Sequence, residues 1–404
     1  MALNPSIASL HDYPFTRLAR LLDGVEPPAG MSPIPLSVGE PKHEPPAFVV
    51  DALRDSLGQL NRYPLTAGSP ELRAAIAAWL ERRFLDGREI IDPATMVLPV
   101  QGTREALFAL AQVIVDRDAA DAPAVMLPSP FYQIYEGAAI MAGAEPLYLP
   151  CKPDKGFLPD YDAVSADDWR RCQLLYICNP NNPTGVVHGL DNYRRLLELA
   201  DEYDFVIASD ECYSEIYYDE AAPPLGFLSA CEKLGRSDFR RAIVFNSLSK
   251  RSSVPGLRSG LVAGDPDIIA SFLTYRTYHG SSMPLHHQQA SIAAWQDESH
   301  VIANRVLYRE KFDAMVAGLG SAMTFQVPAG GFCLWPDLGA YQGGDEQFAR
   351  ELFAAIGVTV LPGSYLARDI GGSNPGAGRV RMALVFPLEQ CAEAADRIYG
   401  FLQG

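Results

Sequence analysis

Ser247-Leu248-Ser249-Lys250-Arg251-Ser252-Ser253-Val254-Pro255-Gly256-Leu257-Arg258-Ser259-Gly260 separates two short apolar runs, 242–245 and 261–263. The runs read as buried strands. The polar, serine-rich piece between them reads as a loop at a sheet edge, where chemistry usually sits. One lysine stands in it among hydroxyls, with an arginine eight residues on. An amine that must attack a carbonyl needs a desolvated seat or neighbouring cations to keep its neutral form within reach. Hydroxyls and a guanidinium are what an anionic phosphate wants beside it. A lone S-x-K is better read as an ordinary surface lysine. This chain, however, has six lysines, and of these only Lys250 directly follows a strand-like run.

Outward from this loop the pattern repeats. Apolar runs recur at 96–100, 124–127, 147–149, 174–178 and 205–208, and helical spacing fills 103–115, 131–142 and 190–203. Short continuous runs separated by helices predict an α/β fold with a mainly parallel sheet, covered on both faces. Helical spacing also marks 48–60 and 71–84, with the extended piece Arg62-Tyr63-Pro64 between them. Past residue 279 the texture changes to long amphipathic helices at 285–319 and 345–356, with extended pieces at 332–335 and 379–385. We therefore expect a proline-rich arm over 1–40, a large domain over 41–284 and a smaller α+β domain over 285–404, joined by the arm. A sharp backbone turn is expected at Gly39.

Parallel sheets bind ligands beyond the carboxyl ends of their strands. Five strand ends here offer Gly102-Thr103 opening a helix, Tyr132, Asn182 within Asn179–Gly185, Asp210 with Tyr213, and the lysine loop. Each has a plain reading: helix cap, core ring, turn, strand-end cap. Together they fit a phosphorylated aromatic aldehyde better than a nucleotide. The helix start, Ser249 and Arg258 would seat the phosphate. A partly buried Asp210 would hold a protonated pyridine nitrogen, and a flat ring such as Tyr132 would stack on a flat cofactor. Arg381 lies inside an apolar run, where a bidentate carboxylate would remove the penalty of an unpaired charge.

Composition narrows the class. The chain has 404 residues, is 48% hydrophobic and carries a formal net charge of −16, which argues against nucleic-acid and anionic membrane partners. Seven cysteines form no C-x-x-C pair, and no apolar run approaches the roughly 20 residues of a membrane span. Seven histidines without an H-E-x-x-H motif do not suggest a metal site. A cytoplasmic protein is expected, with no basic-then-apolar leader in residues 1–12.

With N-P-x-N-P-T-G at 179–185, D-E-x-Y at 210–213, S-L-S-K-R-S-x-x-P-G-L-R-S-G at 247–260 and the C-terminal Arg381, the chain resembles the class I/II aminotransferases. These are pyridoxal-phosphate enzymes of fold type I, and the resemblance covers essentially the whole chain. It implies a seven-stranded sheet in the large domain and a homodimer with composite sites. It also implies that Lys250 anchors pyridoxal phosphate covalently, Asp210 pairs with the ring nitrogen, and Asn182 and Tyr213 bond the phenolic oxygen. Tyr132 would stack on the ring. Gly102, Thr103, Ser247, Ser249 and Arg258 would hold the phosphate, with Tyr63 reaching over from a second subunit. Gly39 and Arg381 would take the substrate carboxylate. Cys333 stands where relatives often carry an aromatic ring.

Further stretches, including His11–Phe15, Ser37–His43, Pro130–Gly137 and Phe272–Gly280, are similar to the N-succinyldiaminopimelate aminotransferases of bacterial lysine synthesis. That likeness implies transfer from glutamate to N-succinyl-2-amino-6-oxopimelate. Arg17, Arg20 and the segment 275–279 are the candidates for the far carboxylate. Another aminotransferase or a C–S lyase is an alternative on the same scaffold. A non-catalytic cofactor-binding regulator is disfavoured by the lack of a basic stripe or DNA-binding segment.

Overall fold

The computed structural model describes residues 3–404. Seven strands form the central sheet: β1 (Val97–Val100), β2 (Ala124–Ser129), β3 (Glu145–Pro150), β4 (Cys172–Cys178), β5 (Val206–Asp210), β6 (Ala242–Ser247) and β7 (Gly260–Gly264). Their spatial order is β1-β7-β6-β5-β4-β2-β3. β7 runs antiparallel to both β1 and β6, and the other pairings are parallel. The sheet is thus mainly parallel, as the seven apolar runs predict.

Alternation along β4 shows why those runs are continuous. Leu175 and Ile177 enter one buried cluster with Trp79, Leu196 and Trp295, while Leu174 and Tyr176 enter another with Leu107, Leu110 and Tyr135. Both faces are covered, so both sets of side chains must be apolar. A fully buried Leu or Phe contributes roughly 1.5–3 kcal/mol, so these two clusters dominate the driving force.

A third cluster lies under the C-terminal helices. Phe312, Leu334, Phe348, Leu352, Met382 and Ile398 pack there together with Ile34 and Leu36. Ile34–Pro35 pairs in parallel with Val358–Thr359, so the early segment is stitched to the C-terminal part by backbone hydrogen bonds. Three short antiparallel strands, Leu361–Pro362, Val380–Ala383 and Cys333–Leu334, present Arg381 beside the large sheet.

Several expectations shift. The long helix over 285–319 is two helices, Leu285–Gln296 and Ser299–Leu319. Asp297 accepts from the His300 N–H at 3.0 Å and from the Ser299 hydroxyl, and this cap interrupts a periodic apolar pattern. The helix over 48–60 ends at Asp55 and continues as a single tight turn, Leu57–Gln59. Helix 131–142 begins only at Ile134. Gly39 has no left-handed backbone, and a Cβ there would stand 3.4 Å from the Phe332 ring, an ordinary contact, so the expected sharp turn is not what this glycine provides. Among the described residues no helix is long and apolar enough to cross a membrane.

β7 depends on one glycine. At Gly264, with φ of +138°, a Cβ would lie 2.0 Å from the Ala242 carbonyl oxygen of β6. Gly264→Ala is expected to lower stability by about 2–4 kcal/mol, from strain and from backbone displacement. Gly58→Ala, where nothing stands within 4 Å, should change it by less than about 0.5 kcal/mol. Thermal unfolding of the two variants checks the contrast.

Candidate active site

The ends of β1, β4, β5 and β6 open onto one cavity of about 630 Å³. Its lining holds Gly39, Thr103, Tyr132, Asn182, Asp210, Tyr213, Ser247, Ser249, Lys250, Arg258 and Arg381. Most residues singled out in the sequence therefore meet in one place.

Lys250 does not sit in an open loop. Leu248–Arg251 forms a single helical turn whose start is capped by the Ser247 hydroxyl, which accepts the Ser249 N–H at 3.0 Å. Four residues cannot hold a helical turn by themselves. Arg251 anchors it: its side chain is fully buried against the rings of Trp79 and Trp295 and donates to the Ala294 carbonyl at 2.7 Å. On the other side the Lys250 amine donates to the Gly39 carbonyl at 3.0 Å. Burial draws the Lys250 amine down to about 8, with Arg381 pushing the same way. At neutral pH roughly a tenth of it is then free amine, against well under a hundredth for an ordinary lysine.

Asp210 ends β5 in buried ground. Burial raises its carboxyl pKa, against the Tyr135 hydroxyl, which donates at 2.7 Å, and the Cys212 N–H at 3.2 Å. A buried carboxylate without a paired cation calls for one, and a protonated ring nitrogen supplies it. Tyr213, whose hydroxyl pKa burial raises far above the usual value, stands edge-on to Phe332. Arg381 donates to the Ser37 carbonyl at 2.8 Å and to Asn182 Oδ1 at 3.3 Å, while its buried Nε has no partner. That guanidinium is held from behind and retains donor capacity for a carboxylate.

The anion seat is built around Gly102, which caps the helix Thr103–Ile114 with φ of +86°. Arg258 lies so close that a Cβ on Gly102 would fall 2.2 Å from its Nη2. Arg258 itself has φ of +53° and donates to the carbonyls of Pro255 and Gln101 at 2.8 and 3.2 Å. A non-glycine residue in left-handed backbone stores strain, which points to a demand for its side chain at that spot. Ser247 and Ser249, joined by a 2.9 Å hydroxyl contact, complete the seat with Thr103.

Other expectations fare differently. Tyr63 is fully exposed and lies outside the cavity of its own chain. Arg17 stacks on the Tyr365 ring, 3.7 Å away, and Arg20 pairs with Asp12, so neither faces the cavity. Within 275–279, Arg276 is buried against Glu105 and Tyr278 points to solvent. The cavity instead holds Arg104, whose Nε donates to the Tyr132 hydroxyl at 2.8 Å. Arg104 and Tyr135 were legible only as neighbours of Thr103 and Tyr132. Nothing in the spacing singled them out, since Tyr132 precedes the helix Ile134–Ala142 that carries Tyr135.

The lysine seat makes a stability prediction for the cofactor-free protein. The unfolded chain holds the Lys250 proton up to 10.5, whereas the folded chain releases it from about 8. Stability therefore rises with pH between these values, and a penalty of up to about 3 kcal/mol persists below both. Lys250→Met should melt higher than wild type at pH 7, and the gap should close between pH 8 and 10.5. Equal melting temperatures at pH 7 would contradict the assignment of a desolvated amine.

Comparison with known proteins agrees with this geometry. The family described as Aminotransferase class I and II matches residues 32–398. An aminotransferase from Neisseria meningitidis is 47% identical, with a TM-score of 0.94 over 99% of this chain and 100% of that one. The LL-diaminopimelate aminotransferase of Nitratidesulfovibrio vulgaris is 30% identical over 397 residues, 97% of each chain. A probable N-succinyldiaminopimelate aminotransferase from Thermus thermophilus is 25% identical, with a TM-score of 0.83 over 96% of this chain and 99% of that one. The cofactor of such enzymes fits the cavity: the buried Asp210 carboxylate calls for a cation, and Arg258 lies against Gly102 at the start of a helix, where a phosphate would be held, while the unpartnered Nε of Arg381 is left for a substrate carboxylate. The chain belongs to the class I and II aminotransferases and works with pyridoxal phosphate.

Proposed function

We propose that this aminotransferase moves an amino group from glutamate to N-succinyl-2-amino-6-oxopimelate, within diaminopimelate and lysine synthesis. The observation that carries the substrate is the charge of the cavity lining. Arg381 serves a first carboxylate and Arg104 stands as a further cation for a second. The carboxylates of the lining are Asp210, enclosed at the end of β5, and Glu40, already paired with Lys42. A substrate whose far nitrogen is acylated and neutral suits that distribution, whereas a free far ammonium would lack a partner. The likeness to the probable N-succinyldiaminopimelate aminotransferase of Thermus thermophilus supports this acceptor. A second reading, LL-diaminopimelate itself, is favoured by the names of relatives about 30% identical over nearly the whole chain.

In this reading Lys250 would anchor the cofactor and, as the free amine, would take the proton from the substrate Cα and return it to the carbon on the far side of the amino nitrogen. Bound pyridoxal phosphate supplies an aldehyde that exchanges amines and a ring that accepts the electron pair left by that proton. Asp210 keeps the ring nitrogen protonated, with Tyr135 fixing the carboxylate. Asn182 and Tyr213 would donate to the ring oxygen, and Tyr132 would cover the ring face. Gly102, Thr103, Ser247, Ser249 and Arg258 hold the phosphate. Arg381 and Gly39 would orient the α-carboxylate beside the Lys250 amine, which the Gly39 carbonyl holds at 3.0 Å. The donor leaves as its oxo acid and the amino group arrives on the acceptor's carbonyl carbon.

Half-reaction kinetics with the succinylated acceptor, LL-diaminopimelate, phenylpyruvate and oxaloacetate test the substrate. The succinylated compound should give the highest kcat/KM. Arg104→Met should lower it roughly tenfold for dicarboxylates and leave alanine–pyruvate exchange within about twofold. A higher kcat/KM for LL-diaminopimelate would overturn the first reading in favour of the second.

The partner we propose is a second copy. Phe48, Leu57, Leu60, Tyr63 and Leu65 are exposed together over residues 48–65, with Tyr63 wholly outside its own cavity. A composite site would bring the partner's copy of this residue to the phosphate seat. Mixing the impaired Tyr63→Ala protein with inactive Lys250→Ala should then restore activity, approaching roughly a quarter of wild type for random pairing. No recovery on mixing, or full activity of a monomer, would end this proposal.

A further inference from the structure

Outside the cavity lining, three polar side chains form a line that ends on the backbone of Lys250 itself. Lys311, on the helix Ser299–Leu319, is 2% exposed and donates to the Val385 carbonyl at 3.3 Å and to His43 Nε2. His43 Nδ1 meets Asn304 Oδ1 at 2.6 Å. The Asn304 amide nitrogen donates to the carbonyls of Lys250 and Arg251 at 3.2 and 3.4 Å.

The polarity along this line is determined. Two carbonyls can only accept, so the amide nitrogen of Asn304 faces them and its oxygen faces His43. That oxygen in turn places the imidazole proton on Nδ1 and leaves Nε2 to accept from the Lys311 ammonium. The order is Lys311 to His43 to Asn304 to the Lys250 carbonyl, with every group matched.

Stability does not account for it. A buried ammonium whose partners are an imidazole, a carbonyl and, 5.1 Å away, the Tyr308 ring is a poor stabiliser, because its desolvation is not repaid by a carboxylate. Burial lowers the pKa of both Lys311 and His43. Among the described residues no carboxylate pairs with Lys311.

What the line joins is more telling. Val385 lies four residues beyond Arg381, and His43 four beyond Gly39, whose carbonyl holds the Lys250 amine. The Ser253 hydroxyl, just past the lysine turn, donates to the His43 carbonyl at 3.0 Å. The amine, the carboxylate arginine and the Gly39 segment thus come from distant parts of the chain and are tied together at one point.

We propose that Lys311, His43 and Asn304 are positioning residues, a relay that fixes the lysine turn against the Gly39 and Arg381 segments so that the Lys250 amine is aimed at the reacting carbon. This rests on Lys250 being the reacting amine. Misplacing a reacting group by about 1 Å can cost roughly a hundredfold in rate.

Two variants test it at different ends of the line. Lys311→Met touches neither cavity nor lysine turn and should leave the melting temperature unchanged or raised. It should lower kcat about tenfold while KM for the amino donor moves less than about threefold. In the cofactor-free protein, amide exchange of peptides covering 36–43 and 247–258 should become about tenfold faster, with the β4 and β5 peptides unaffected. Asn304→Leu should do the same, with a larger effect on 247–258. Wild-type kcat and exchange in Lys311→Met, or a loss that only follows the folded fraction, overturns the relay. Lys250→Ala run alongside separates the two readings: full transamination by that variant would remove the assignment of the reacting amine. An inactive Lys250→Ala beside a wild-type Lys311→Met would remove the relay alone.

Discussion

The Lys250 amine lies in enclosed ground, bonded to the Gly39 carbonyl, with thiols and the Arg381 guanidinium nearby and, among the described residues, no carboxylate in ion-pair contact. Such a seat is what makes a lysine useful as a nucleophile and base at neutral pH, and it is also unfavourable for folding. The surrounding structure therefore has to hold the residue where it would not stay unaided. Arg251 does this from the adjacent position, wedged between Trp79 and Trp295 and bonded to the Ala294 carbonyl and Glu298. One residue of the turn is a buried anchor and its neighbour faces the cavity. A helical turn, which swings successive side chains by about a quarter circle, allows that division where an extended strand would point them oppositely.

The architecture was legible because the central sheet is buried on both faces. Seven apolar runs became seven strands, and the loop ends of β1, β4, β5 and β6 met at one cavity as the parallel-sheet rule requires. What periodicity could not supply was punctuation. The break at Asp297 and the late helix start at Ile134 are decided by a side-chain cap and a local turn, each acting over a few residues within a pattern read over a dozen. The antiparallel direction of β7 was likewise invisible, since direction depends on where the chain re-enters the sheet and not on its composition.

The site divides the same way. Residues fixed to strand ends, such as Asp210, Asn182 and Lys250, could be placed because their position follows from the sheet. The far pocket could not. Arg17, Arg20 and Arg276 were reasonable cations, yet each is engaged elsewhere, by Tyr365 with Glu346, by Asp12 and by Glu105. Arg104 was hidden in a helix start that had already been assigned to phosphate. Lys311, His43 and Asn304 lie hundreds of positions apart in part, and nothing in their local sequence says that they share hydrogen bonds. Contacts of that kind belong to tertiary structure alone.

Charge offers the last lesson about scale. A chain of net charge −16 is an unpromising host for a substrate with several carboxylates if the protein is treated as a sphere. Beyond about 10 Å, however, that surface charge is largely screened at ordinary ionic strength. Inside the cavity the field is set by Arg104, Arg258 and Arg381, delivered by three separate elements: a helix start, the loop before β7 and a strand of the C-terminal core. Arg104 shares its helix start with Thr103 and holds the Tyr132 hydroxyl, whereas Arg381 comes from the C-terminal core, so the spacing of these two cations is set by how that core packs against the large sheet. On the proposed reading of a substrate with two carboxylates, the distance between Arg104 and Arg381, more than either residue alone, would then set which substrate the scaffold accepts while the chemistry stays at Lys250.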